Sequence, residues 1–222
     1  MGREELEVLK GGVVKRKTKR RMGLFIDATG LDRATRRLER KVDLSRLVTG
    51  LTSGIKLEIA RYYTLIPYED DARQFAFLDA VERAGIEVVT KRLPPKGVKR
   101  QVSMDVHMAT DLISYCFGHF EQAVETPEQQ EQQQEKKQVA NAENIESPTN
   151  KVVVSKKSTN GAIRRVATVV CPSREMTYGL YMCHERGIEV ALADFGLYGA
   201  SDGWRGVDRW IDLSTSETIW RK

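Results

Sequence analysis

Short apolar runs alternate along this chain with longer stretches whose apolar positions recur at helical spacing. Residues 23–27, 57–64, 86–90, 166–171 and 188–193 read as buried strands. Between them, residues 31–50, 70–84, 102–117 and 174–186 read as helices. The alternation predicts βαβ units and therefore an α/β fold with a mainly parallel sheet. Gly85 and Gly187 each close a helix and open the phrase Ile-Glu-Val, the same joint used twice. Residues 209–213 read as a short final strand.

In the third helix Met104, Met108, Leu112 and Tyr115 fall at spacings of four, four and three, which makes one buried stripe. Two acids share this helix. At 100° per residue Asp105 and Asp111 lie about 120° apart, so a common target requires Asp105 near the helix start.

The first strand ends in a carboxylate, Leu24-Phe25-Ile26-Asp27, before Ala28-Thr29-Gly30 opens a turn. In parallel α/β sheets the carboxyl edge of the strands is where ligands bind. Asp27 is therefore a site candidate, with capping of the following turn as its local alternative. The segment from Ser103 to Asp111 and the strand end from Val169 to Glu175 are candidates to close on the same point. Carboxylates from three distant segments point to a hard divalent cation, Mg²⁺ or Mn²⁺, which prefers oxygen ligands and keeps several waters. Such ions serve phosphodiester hydrolysis by activating water and stabilising the leaving oxygen.

The formal charge of +5 and pI near 9.1 favour a polyanionic partner. The distribution sharpens this. Lys15, Arg16, Lys17, Lys19, Arg20 and Arg21 crowd the leader before the first strand, as a phosphate-backbone contact or a nuclear-localisation-like segment would. Lys99, Arg100 and Arg174 are further candidates to hold a nucleic-acid backbone.

Residues 121–161 are rich in Gln and Glu and poor in apolar side chains, which predicts a disordered insertion interrupting one domain at residues 22–222, after a leader at 1–21. Cys116, Cys171 and Cys183 are few and unpaired in spacing, as reduced core thiols are. No apolar run reaches the roughly 18 to 20 residues of a membrane span, and the first residues lack the apolar core of a secretory signal. The expected compartment is cytoplasmic, or nuclear in a eukaryotic cell.

Taken together, these segments resemble the NYN family of PIN-like nucleases. Asp27 resembles the acid of that family's first strand. Asp105-Val106 through Asp111 resembles its Val-Asp-Val motif with a further Asp, and Val169 to Met176 occupies its fourth-strand acidic segment. Val207-Asp208-Arg209-Trp210-Ile211-Asp212-Leu213 resembles its closing motif. Gly30 stands where the family has Asn, and Ser173 where it has the first Asp of the fourth-strand segment.

The resemblance implies a three-layer α/β/α PIN-like, Rossmann-like domain. It also implies a metal-dependent ribonuclease acting on RNA through Asp27, Asp105, Asp111 and Glu175 as catalytic, metal-holding acids. The alternative is a catalytically silent module of the same fold that binds RNA or a protein partner; self-association stays open. An aspartate-nucleophile phosphatase fits less well, because Thr29 stands where such enzymes carry a second Asp. A dinucleotide-binding domain lacks its Gly-x-Gly-x-x-Gly after the first strand.

Overall fold

A computed structural model describes residues 19–69, 71–118, 163–196 and 204–221, together with the backbone of two short strands, Leu6–Val8 (β1) and Val14–Arg16 (β2). These two pair antiparallel. The expected insertion at 121–161 lies outside the described residues, as do the side chains of Lys15 and Arg16 and the whole of Lys17.

The main sheet has six strands: Arg20–Asp27 (β3), Lys56–Ile66 (β4), Glu87–Arg92 (β5), Arg164–Val170 (β6), Glu189–Asp194 (β7) and Arg209–Asp212 (β8). Their order is β5-β4-β3-β6-β7-β8, with every pairing parallel. Growth runs outward from β3 to β4 and β5, then returns to the other side of β3 for β6. The neighbourhood of β3 and β6 is thus the topological switch point, where helices diverge to opposite faces and leave a crevice at the carboxyl edge.

Strand alternation sends side chains to two cores. On β3, Leu24 and Ile26 join the cluster under Ala28–Arg37 (α1), Leu44–Thr52 (α2) and Ala72–Arg83 (α3), whereas Phe25 joins the opposite one. That second cluster lies under Asp105–Cys116 (α4) and Thr177–Glu185 (α5). The result is a three-layer α/β/α domain. The expected stripe of Met104, Met108, Leu112 and Tyr115 is buried as a unit in it.

One expected helix, 31–50, is two. α1 starts earlier, at Ala28, because the Asp27 carboxylate accepts from the Thr29 backbone N–H at 2.9 Å and caps it. It stops at Arg37. Glu39 then takes a positive φ of 52°, Val42 bridges to Trp220, and Asp43 caps α2 by accepting from the Arg46 N–H. The apolar period runs on across this break because both helices face the same core.

The leader boundary also shifts. Arg20 and Arg21 are the first residues of β3, opposite Arg164 and Arg165 on β6. Arg20 is paired with Glu189 at 2.6 Å, and Arg21 with Glu58 at 4.0 Å. Both stand at the amino edge of the sheet, about 20–23 Å along the strand from Asp27.

Candidate functional site

β3 delivers Asp27 to the carboxyl edge, where it is 8% exposed and caps α1. Burial pushes its carboxyl above the ordinary value of 3.8, against the opposing effect of the Gly30 and Thr29 backbone N–H groups; the nearby Asp105 charge pushes it up further. An acid in a half-closed cleft, facing a second acid, is an electrostatic arrangement that a cation relieves.

The turn after Asp27 is unusually tight against its neighbour. A Cβ on Gly30 would stand 1.9 Å from the carbonyl oxygen of Cys171 and 3.2 Å from Asp27 Oδ2. Cys171 itself has a positive φ of 49° and donates its N–H to Ala193. No side chain fits at position 30 with this backbone, which accounts for glycine there. The Cys171 thiol is held well above its ordinary pKa, by burial first and then by Asp194, so it is a neutral wall of the cleft.

Asp105 opens α4 as its first residue, as the spacing required. The Ser173 hydroxyl, just past β6, donates to Asp105 Oδ1 at 2.7 Å. Ser173, which stands where the family has an acid, is therefore a donor that fixes Asp105. The pocket at this edge has a volume of about 370 Å³, within the range of ligand-binding clefts. Its lining includes Asp27, Gly30, Arg33, Ser173, Arg174, Asp194, Trp204 and Trp210.

Asp194, Arg33 and the two tryptophans did not emerge from the sequence pattern. For Asp194 the signal existed. Ala191-Leu192-Ala193-Asp194 repeats the pattern of Leu24-Phe25-Ile26-Asp27, an apolar strand ending in an acid. Asp194 Oδ1 accepts from the Phe195 N–H at 2.7 Å.

Asp105 is tied to this pocket through Ser173 and is not itself among the lining residues; nor are Asp111, Glu175, Lys99 and Arg100. Asp111 turns toward β4, where its Oδ2 accepts from Arg61 at 2.7 Å and from the Tyr63 hydroxyl at 2.9 Å. Arg61 is also bound by Glu87. Glu175 is exposed in the 3₁₀ turn Arg174–Met176 and does not line the cavity, although its neighbours Ser173 and Arg174 do. Lys99 and Arg100 are exposed between β5 and α4.

Among the described residues no three His, Cys, Asp or Glu side chains are grouped closely enough to cage a metal ion. Mg²⁺ does not need such a cage, since one or two carboxylates with waters and substrate phosphate commonly suffice. The acidic pair Asp27 and Asp105 fits that more open mode of binding, with Asp194 a further acid lining the cleft.

A six-stranded parallel sheet with helices on both faces and an acidic cleft at its switch point defines the PIN-like α/β/α class. The family model described as the NYN domain matches residues 21–124, from β3 through α4. The whole fold is similar to the crystal structure of a protein of unknown function from Vibrio parahaemolyticus, with a TM-score of 0.61 at 10% identity. That match covers 93% of this chain and 99% of the other. No curated protein matches the sequence. No helix among the described residues is long and apolar enough to cross a membrane.

Proposed function

We propose that this protein is a ribonuclease that hydrolyses RNA phosphodiester bonds with the help of Mg²⁺ or Mn²⁺. The match of residues 21–124 to the NYN family model supports the nuclease class. The single observation that carries the reading is a cleft lined by Asp27, Asp194, Arg33 and Arg174, whose Ser173 hydrogen-bonds Asp105 near enough to Asp27 for its charge to be felt there.

Asp27 and Asp105 are the residues that would hold the cation. When bound, the ion supplies an activated water and neutralises charge on the leaving oxygen. Asp27 is fixed for that task by the Thr29 N–H, and Asp105 by the Ser173 hydroxyl. Arg33 and Arg174 bring cations to the same cleft and steer the scissile phosphate toward the acids. Asp194 adds a further carboxylate to the same cleft. Asp111 serves the reaction only indirectly, by locking α4 to β4 so that Asp105 keeps its place. We assign the activity to the cytoplasm, or to the nucleus if the basic leader is read by a eukaryotic import receptor.

The test is cleavage of labelled single-stranded and structured RNA by the full chain in Mg²⁺, Mn²⁺ or chelator, with D27N prepared in parallel. Cation-dependent cleavage present in the parent and lost in D27N supports the reading; equal activity in both overturns it. A second reading, a silent RNA-binding module, draws support from the acid cluster's small size and from Ser173 in place of an acid. RNA binding without cleavage in any cation is its signature.

A further inference from the structure

Beside its acids and arginines the cleft is lined by two indoles, Trp204 and Trp210, that neither a metal ion nor a phosphate would contact. Both are half-buried rather than sunk in the core. Trp204 is held firmly. Two residues on, Gly206 has a φ of 77°, and a Cβ there would stand 2.4 Å from Tyr181 Cα on α5, so the segment is pressed against that helix. Beyond it Asp208 accepts from the Val190 N–H at 2.7 Å and returns its own N–H to the Val190 carbonyl.

The Arg174 guanidinium lies 4.7 Å from the Trp204 ring centroid. Trp210 is fixed by β8, in register with Leu192 on β7. A planar, cation-flanked aromatic wall beside a phosphate-directed acidic pair matches the two parts of a nucleotide, base and phosphate. Base stacking on such a ring is sequence-tolerant because every base presents a π-face. In a duplex those faces are occupied by neighbouring bases.

We propose that Trp204, backed by Arg174 and joined by Trp210, is a stacking platform for the unpaired base next to the scissile phosphate. This rests on the ribonuclease reading for the word scissile, but the stacking is a binding property and is measured without cleavage.

The experiment is a fluorescence titration of the full chain in chelator with three probes of equal phosphate number: oligouridylate, an abasic ribose-phosphate strand and a blunt RNA duplex. Of the three tryptophans, Trp220 is only 4% exposed and packs on Phe195 in the other core, so quenching reports on Trp204 and Trp210. Oligouridylate is expected to quench and to bind about tenfold or more tightly than the abasic strand. W204L removes that preference and leaves abasic binding unchanged, while W204F keeps most of it.

Equal affinity of the parent for base-bearing and abasic strands overturns the proposal, as does tighter binding of the duplex or no binding of any probe. An equal loss on both strands in W204L does the same. The comparison on the unsubstituted protein needs no variant, so it stands even where W204L fails to fold. Base-dependent binding with no cleavage in Mn²⁺ would sink the ribonuclease reading and leave the platform intact.

Discussion

Ser173 Oγ donates a 2.7 Å hydrogen bond to Asp105 Oδ1, tying the end of β6 to the start of α4 across 68 positions of sequence. Replacing this donor by an acid reverses the local electrostatics. S173D places a carboxylate against Asp105 and is expected to lower the melting temperature in chelator while tightening Mn²⁺ binding. S173A loses about 1 kcal/mol, since the pair is only partly buried. Calorimetric titration with Mn²⁺ and melting in chelator check both; a cation affinity unchanged in S173D would count against a metal site between these positions.

Asp27 carries a pH signature. Its folded-state pKa is raised above the ordinary 3.8, chiefly by burial. The contribution is therefore fully present below the unfolded value and is lost as pH rises through the folded one. D27N removes the penalty while keeping a side chain that caps helices well. It should melt above the parent at pH 7 in chelator, with the gap closing as pH falls toward 3.8. Added Mn²⁺ should raise the melting temperature of the parent only.

Gly30 is fixed by the Cys171 carbonyl, 1.9 Å from where a Cβ would sit. G30A must move backbone on one side or the other, at a cost of about 1–3 kcal/mol or more. Asn, the residue the family carries there, is expected to be worse still. Urea unfolding of both variants tests this, and a midpoint equal to the parent's would show that the turn relaxes freely.

Asp111 holds the half-buried Arg61 and the fully buried Tyr63 to α4. D111A should destabilise by about 2–3 kcal/mol, because Arg61 keeps Glu87 but loses its partner on the helix. Its Mn²⁺ affinity, measured below the melting transition, should match the parent's. A loss of cation binding with little loss of stability would return Asp111 to the metal site.

The basic leader and the sheet edge are separable. Arg20 is engaged by Glu189, so R20Q should cost under about 1 kcal/mol and leave the salt dependence of RNA binding unchanged. Neutralising Lys15, Arg16 and Lys17 together should flatten the dependence, by about one unit of slope for each phosphate no longer neutralised. Filter binding between low and moderate salt distinguishes the two; the reverse pattern would assign RNA binding to the strand.

By itself the sequence determined the α/β alternation, the parallel sheet, the buried stripe of α4 and the delivery of Asp27 to a strand end. Each of these is written in a local period, because a strand or helix face must be apolar wherever it meets a core, whatever lies on the other side. Only the tertiary structure decided which acids meet. Asp105 and Asp111 are six residues apart on one helix, yet the first meets Ser173 and the second meets Arg61. That division follows from which strands α4 crosses on its return over β3. The same holds for the break between α1 and α2, made by a bridge from Val42 to Trp220, and for Gly30, whose necessity lies in a carbonyl 141 positions away. Periodicity records that a face is covered; chain crossovers decide by what.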